Sequence, residues 1–227
     1  MFRLLIDTLF PPRCVGCGSY LLAGEDYICL QCISDLPRTL YYLQPESNPM
    51  IDRFAGIFPF ERATSWLYYI HGNITSHIIH TFKYHRQPQL ARRIGALMAE
   101  EMTMNGYFYD IDYIMPVPQH WTRRMHRGYN QTEYLADGIS EVTDLPVLDN
   151  LYAARRHRSQ TAFSLAERRA NPTGSFSVHH PDQLSDSHIL VIDDVCTTGA
   201  TLIEACTALH TAAPTARLSI LTLASTI

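Results

Sequence analysis

Lysine is almost missing from this chain of 227 residues: Lys83 stands alone against a lysine-plus-arginine total of 18. Arginine in its place suits bidentate recognition of phosphate. Bulk positive charge is missing too. A formal net charge of −4 excludes a polycation that holds nucleic acid by overall attraction. No apolar run approaches the length of a membrane span. The phosphate loop G-x4-G-K-[ST] is absent, and so is any Ser-His or Cys-His pattern that would announce a covalent nucleophile. Repeats and low-complexity tracts are absent as well. Met1–Phe10 is apolar but carries Arg3 and Asp7 and lacks a small-residue cleavage site. It reads as a short amphipathic helix rather than a signal peptide, which makes a cytoplasmic protein the expectation.

What is present is 46% hydrophobic residues, enough for one α/β core and a small appendage. The most informative stretch is Ile189–Leu202, ILVIDDVCTTGATL. Its apolar start predicts a buried parallel strand, with Asp193 and Asp194 at the carboxyl end, where ligands bind in open α/β sheets. Val195–Ala200 (Val195, Cys196, Thr197, Thr198, Gly199, Ala200) reads as a turn, and Thr201 opens a helix through Leu209. Free amides at such a turn and helix start make an anion site, and three threonine hydroxyls stand beside them. Two acids for sugar hydroxyls and a cradle for phosphate suit a phosphorylated sugar. Taken separately, the acids could also serve a Mg2+ ion or cap the helix.

This segment resembles the signature of type I phosphoribosyltransferases, which bind 5-phosphoribosyl 1-pyrophosphate (PRPP). The resemblance implies that Asp193 and Asp194 hold the ribose 2′- and 3′-hydroxyls and that Val195 to Thr201 wrap the 5′-phosphate.

Cysteine falls into two groups. Cys14-x2-Cys17 and Cys29-x2-Cys32 lie within one 19-residue window. Four thiolates so spaced match a tetrahedral structural zinc site, and the metal would supply folding energy that so small a piece lacks. Gly16 and Gly18 permit a tight turn around Cys17. Two disulfides are the weaker alternative. Cys206 is expected in the core. Cys196 is expected to serve the phosphate loop through its backbone, although a helix N-terminus could also activate its thiol.

The chain divides into a metal module, residues 1–36, and a larger domain, residues 37–227. Leu36–Pro49 reads as a linker. Ile57–Glu61 and Thr64–Tyr69 read as a hairpin. Helices are expected over Asn73–Lys83, Gln89–Met104 and Asn130–Val142, and strands at Tyr113–Val117, Pro146–Leu148, Asn150–Ala153, Phe176–Val178 and Leu218–Leu223. This alternation predicts an α/β fold with a parallel sheet and flanking helices.

Two basic segments remain. Asp112–Gln131 follows a strand and carries Arg123, Arg124 and Arg127 towards Gly128, a setting for a second anion or, with Trp121 and Tyr129, for single-stranded nucleic acid. Arg155–Phe176 is long and polar and reads as a lid or binding loop. The full order is a cysteine ribbon, then FKYH, PVP…RGYNQ…LA, Q-T-x-x-S…E-R-x-x-N…F and DDVCTTGAT. It is similar to that of the ComF family, phosphoribosyltransferase-like proteins linked to DNA uptake in naturally competent bacteria. The resemblance implies Lys83 and Tyr84 near the substrate. It implies a pyrophosphate loop at Arg127, Gly128, Asn130 and Gln131, with Arg123 in support, and a flexible loop carrying Gln160, Arg168 and Asn171. It further implies Mg2+ with PRPP, an unknown nitrogen acceptor, and single-stranded DNA or competence machinery proteins as partners.

Overall fold

The computed structural model describes residues 11–84, 87–119, 128–153 and 175–226. The predicted helix at Met1–Phe10 and the expected site residues Arg123, Arg127, Gln160, Arg168 and Asn171 lie outside them.

Four strands form one parallel sheet: β1 (Arg62–Tyr68), β2 (Tyr113–Pro116), β5 (His188–Cys196) and β6 (Arg217–Ser225), in the order β1-β6-β5-β2. Two short strands, β3 (Leu151–Ala153) and β4 (Phe176–Val178), pair antiparallel beside it. Among the described residues, the helices are α1 (Leu30–Ser34), α2 (Pro49–Phe54), α3 (Ile74–Tyr84), α4 (Pro88–Thr103), α5 (Gln131–Thr143) and α6 (Ala200–Ala212).

Alternation along the central strands splits the core in two, because successive strand residues face opposite sides. Leu190 and Ile192 of β5 join Leu221 and Leu223 of β6 against α3, α4 and α5, through Ile78, Phe82, Ile94, Met98, Leu135 and Ile139. Ile189 and Val191 join Leu218 and Ile220 against α2 and α6, through Phe54, Leu202, Ala205 and Leu209. Buried on both faces, these strands read as continuous apolar runs, which is why they were legible. Helices α4 and α5 pack closely at two glycines. A Cβ on Gly95 would strike the Leu135 carbonyl, and one on Gly138 would strike the Arg92 carbonyl.

The predicted hairpin at Ile57–Glu61 and Thr64–Tyr69 does not form. Residues 57–61 hold no strand, and β1 pairs parallel with β6 from Arg62 to Tyr68. Its β-branched and aromatic residues suit a strand buried on both faces, but its partner lies about 155 residues away, beyond any local turn signal. Leu36–Pro49 is no passive linker. Arg38 forms an antiparallel bridge with Leu67, Thr39 N–H donates to Trp66 O at 2.9 Å, and Tyr41 and Tyr42 are buried. This segment covers the outer edge of β1, which would otherwise present unpaired backbone groups. Pro146–Leu148 is reduced to one parallel bridge, Ile114 with Val147, at the other edge. Helix α2 was not expected; Asn48 caps it, its side-chain oxygen accepting from Met50 N–H at 2.9 Å.

Candidate functional site

The cysteine module is built from local turns. All four ligand sulfurs of Cys14, Cys17, Cys29 and Cys32 lie within 4.8 Å of one another, and Cys17 Sγ is 3.8 Å from Cys29 Sγ. A tetrahedral zinc with bonds of about 2.3 Å sets sulfurs about 3.8 Å apart, so the donor set fits that ion in number, type and spacing. A disulfide needs sulfurs about 2.0 Å apart, and all four cysteines are free. Amides point at the sulfurs: Gly16 N–H and Cys29 N–H each donate to Cys14 Sγ at 3.3 Å, and Cys32 N–H to Cys29 Sγ at 3.4 Å. The Ser19 hydroxyl beside Cys17 holds its thiol down to about 6. A Cβ on Gly16 would come within 2.9 Å of Cys32 Sγ, so the knuckle closes only around a bare glycine. Ile28, Cys32 and Leu36 share one apolar cluster with Trp66 and Phe82, so the module packs on the sheet domain.

The second site is a cavity of about 830 Å3 at the carboxyl ends of β5 and β2, between α3 and α6. That is the crevice where a parallel sheet offers ligands its strand ends and helix starts. Asp193, Asp194, Val195, Thr197, Thr201 and Lys83 line it, with Tyr84 beside them. Strand β5 runs on through Cys196, further than predicted, so the turn narrows to Thr197–Gly199 and α6 begins at Ala200. Gly199 sits at φ 80°, which reverses the chain direction ahead of the helix. Among the described residues, the amides of Thr197, Thr198 and Gly199 donate to no protein acceptor. Three uncommitted N–H groups before a helix start are an arrangement that favours anions in general.

The two aspartates differ. Asp194 N–H donates to Asp193 Oδ1 at 2.8 Å, which fixes the Asp193 carboxylate. Asp194 is buried and forms an ion pair with Lys83, Nζ to Oδ2 at 2.7 Å. Lys83 comes from the last turn of α3, whose Ile78, Ile79 and Phe82 are buried against the sheet. The sole lysine of the chain is therefore spent on this carboxylate. Tyr129 of the R-G-Y-N-Q element donates its hydroxyl to Phe82 O, tying that element to the turn that carries Lys83.

The other predicted residues are placed as follows. Gly128 has a left-handed φ of 85°. Asn130 and Gln131 are buried at the start of α5 and do not themselves line the cavity. Asn130 Nδ2 donates to Val117 O at 3.3 Å, and Thr132 Oγ1 donates to the same carbonyl at 2.6 Å. They hold the chain after β2. Thr198 Oγ1 accepts from Ala200 N–H at 3.4 Å, a local bond across the turn; Gly199 is the N-cap of α6 and no side chain caps the helix. Cys196 is buried, and burial pushes its thiol up, the opposite of an activated nucleophile. Cys206 is fully buried, as expected. Ser76, His80, Gln119 and Glu204 also line the cavity and were not anticipated. Glu204 follows Thr201 by one helical turn, a spacing that could have pointed to it.

Residues 134–226 match the phosphoribosyl transferase domain family, and residues 5–41 match the double zinc ribbon domain. Competence protein F of Haemophilus influenzae is 30% identical over 217 residues, covering 87% of this chain and 90% of that protein. The chain belongs to the competence protein F family. Its domain with a parallel sheet and flanking helices is phosphoribosyltransferase-like, and its cysteine module is the family's zinc ribbon. DNA utilization protein YhgH of Escherichia coli K12 is 28% identical over 134 residues, 57% of this chain and 58% of that protein. Among solved structures, the glutamine PRPP amidotransferase from B. subtilis aligns over 63% of this chain and 30% of that one, at 17% identity and a TM-score of 0.45. Among the described residues, no helix is long and apolar enough to cross a membrane.

Proposed function

We propose that this competence protein F relative binds PRPP with Mg2+ in the cavity at the end of β5 and transfers the phosphoribosyl group to a nitrogen acceptor. The reading is carried by one juxtaposition: Asp193 and Asp194 line the cavity, and three uncommitted amides follow at residues 197 to 199 of the same segment, of which Thr197 also lines it. Carboxylates accept from vicinal hydroxyls, and amides and threonine hydroxyls donate to a phosphate monoester.

The reaction would be displacement at ribose C1, with the nitrogen lone pair entering and pyrophosphate leaving. Positive charge grows on the sugar ring, and Asp193 and Asp194 lie where they stabilise it. Lys83 balances Asp194 before substrate arrives and is assigned, with the cavity it lines, to the substrate. Arg123, Arg127 and Gly128 are assigned to pyrophosphate, Asn130 and Gln131 to supporting that loop, and Gln160, Arg168 and Asn171 to a covering segment that excludes water. Mg2+ would offset charge on the pyrophosphate. The chain would act as two units divided near residue 36, in the cytoplasm, with zinc bound by Cys14, Cys17, Cys29 and Cys32.

Calorimetric titration of PRPP with and without Mg2+ tests the proposal. Binding should require the metal and vanish when Asp193→Asn and Asp194→Asn are combined. Absence of binding to the unaltered protein at millimolar PRPP would end the reading.

A second reading is favoured by the names of the relatives, a competence protein and DNA utilization proteins. Here the zinc ribbon and arginine segments hold single-stranded DNA, with or without transfer chemistry. That binding should weaken steeply with salt, as counterion release demands. An affinity equal at 50 and about 200 mM salt would reject it.

A further inference from the structure

The phosphate loop leans on a residue that belongs to neither the signature nor the cavity wall. Arg53, in the last turn of α2, reaches the loop across 143 residues of sequence. Its Nη1 donates to Thr197 O at 2.7 Å and to Cys196 O at 3.3 Å, and it lies 3.4 Å from Cys196 Sγ. Its Nη2 donates to Thr226 O at 3.1 Å. Thr226 completes the clamp, its N–H donating to Cys196 O at 3.1 Å and its hydroxyl to Thr197 O at 3.4 Å. The next residue of α2, Phe54, is fully buried, and a Cβ on Gly199 would meet its ring at 3.0 Å. Helix α2 thus backs the loop from residue 196 to residue 199.

A trans peptide is planar, with its carbonyl and the following N–H pointing in opposite directions. Holding Cys196 O therefore turns Thr197 N–H away from Arg53, and holding Thr197 O turns Thr198 N–H away. These are two of the three amides that donate to no protein group. A guanidinium can serve several carbonyls at once because its donors lie in a rigid fork, which an ammonium lacks.

We propose that Arg53 is a positioning residue for the phosphate loop: by holding the carbonyls of Cys196 and Thr197 from behind, it aims the following amides at a phosphate monoester in the cavity. The proposal rests on the loop being a phosphate site. It implies that the loop is set before ligand arrives, so that affinity is not lost to ordering it.

The test uses the full chain and two probes, ribose 5-phosphate for the loop and Mg-pyrophosphate for the opposite end of the site. Arg53→Met and Arg53→Lys should each weaken ribose 5-phosphate by about tenfold or more while leaving Mg-pyrophosphate within about twofold. Arg53→Lys keeps the charge and most of the stem, so it guards against simple unfolding, and melting temperature is followed in parallel. In Arg53→Ala, millimolar guanidinium should restore part of the ribose 5-phosphate affinity, which a purely structural defect would not allow. Equal losses for both probes, or an unchanged ribose 5-phosphate affinity in folded Arg53→Met, would overturn the assignment. Failure of the unaltered protein to bind ribose 5-phosphate would instead remove the phosphate-loop reading beneath it.

Discussion

Lys83 Nζ lies 2.7 Å from Asp194 Oδ2, and the two side chains are only 18% and 12% exposed. The pair joins the end of α3 to the end of β5 and settles the charge of a carboxylate that burial would otherwise penalise.

Lys83→Met therefore has two expected effects. It leaves Asp194 without its cation, so stability should fall by about 1–3 kcal/mol, a range typical of a lost bond to a charged group. It also removes a cation from the cavity, so Mg-PRPP affinity should fall by about tenfold or more. Denaturant unfolding and calorimetry read the two separately. An affinity unchanged by Lys83→Met would remove Lys83 from the binding site.

Gly199→Ala probes the turn itself. Alanine at φ 80° is strained, and its Cβ would press on the Phe54 ring. A cost of about 1–2 kcal/mol is expected, with weaker phosphate binding as the turn is distorted. Thermal unfolding checks the first and titration with ribose 5-phosphate the second. Full affinity in the variant would show that the turn is not the anion site.

The zinc ribbon should matter beyond its own residues. Cys32→Ser is expected to abolish zinc binding by the purified protein. Because Cys32 and its neighbours Ile28 and Leu36 pack in the same cluster as Trp66, the whole protein should melt at a lower temperature. Metal analysis and thermal unfolding provide the readouts. Zinc loss with an unaltered melting temperature would mean that the module is energetically separate.

Acid should destabilise the opposite end of the sheet. His188 is fully buried at the start of β5, Nε2 2.8 Å from Ser219 Oγ and Nδ1 2.9 Å from Asp110 O. Burial holds the imidazole below its ordinary value of 6.5; Asp110 opposes this, while Arg217 and Arg62 add to it. A depressed folded value means that the unfolded chain takes up protons first. This contribution to stability is present above about pH 6.5 and is lost as pH falls through the folded value. Asp110 acts in the same direction lower down. Burial opposes its ionisation, but the Arg62 guanidinium at 2.5 Å holds it below 3.8. Stability should thus decline from pH 7 towards pH 5, and His188→Gln should flatten that decline. Urea midpoints across the range decide it.

How much was legible depended on distance along the chain. The cysteine pairs, the strand from Ile189 and the helix after Gly199 are written in neighbouring residues, because thiol spacing, turn glycines and apolar periodicity are local properties. The burial of Tyr41 and Tyr42 was not legible, since nothing near them shows that an open strand edge waits there. For β1 the pattern was right and the partner was missed. Strand-forming residues mark a strand, but they do not say whether the neighbouring strand is adjacent in sequence or far away.

The sequence by itself determined the chemistry on offer: four thiols for one metal, two adjacent carboxylates, and a threonine-glycine turn before a helix. Tertiary structure alone decided how that chemistry is aimed. Lys83 meets Asp194, and Arg53 meets the carbonyls of Cys196 and Thr197, only because α3 and α2 pack on opposite faces of one parallel sheet. The physical reason is that an ion pair or a carbonyl clamp depends on separation in space, and more than 100 residues of chain separate the members of each.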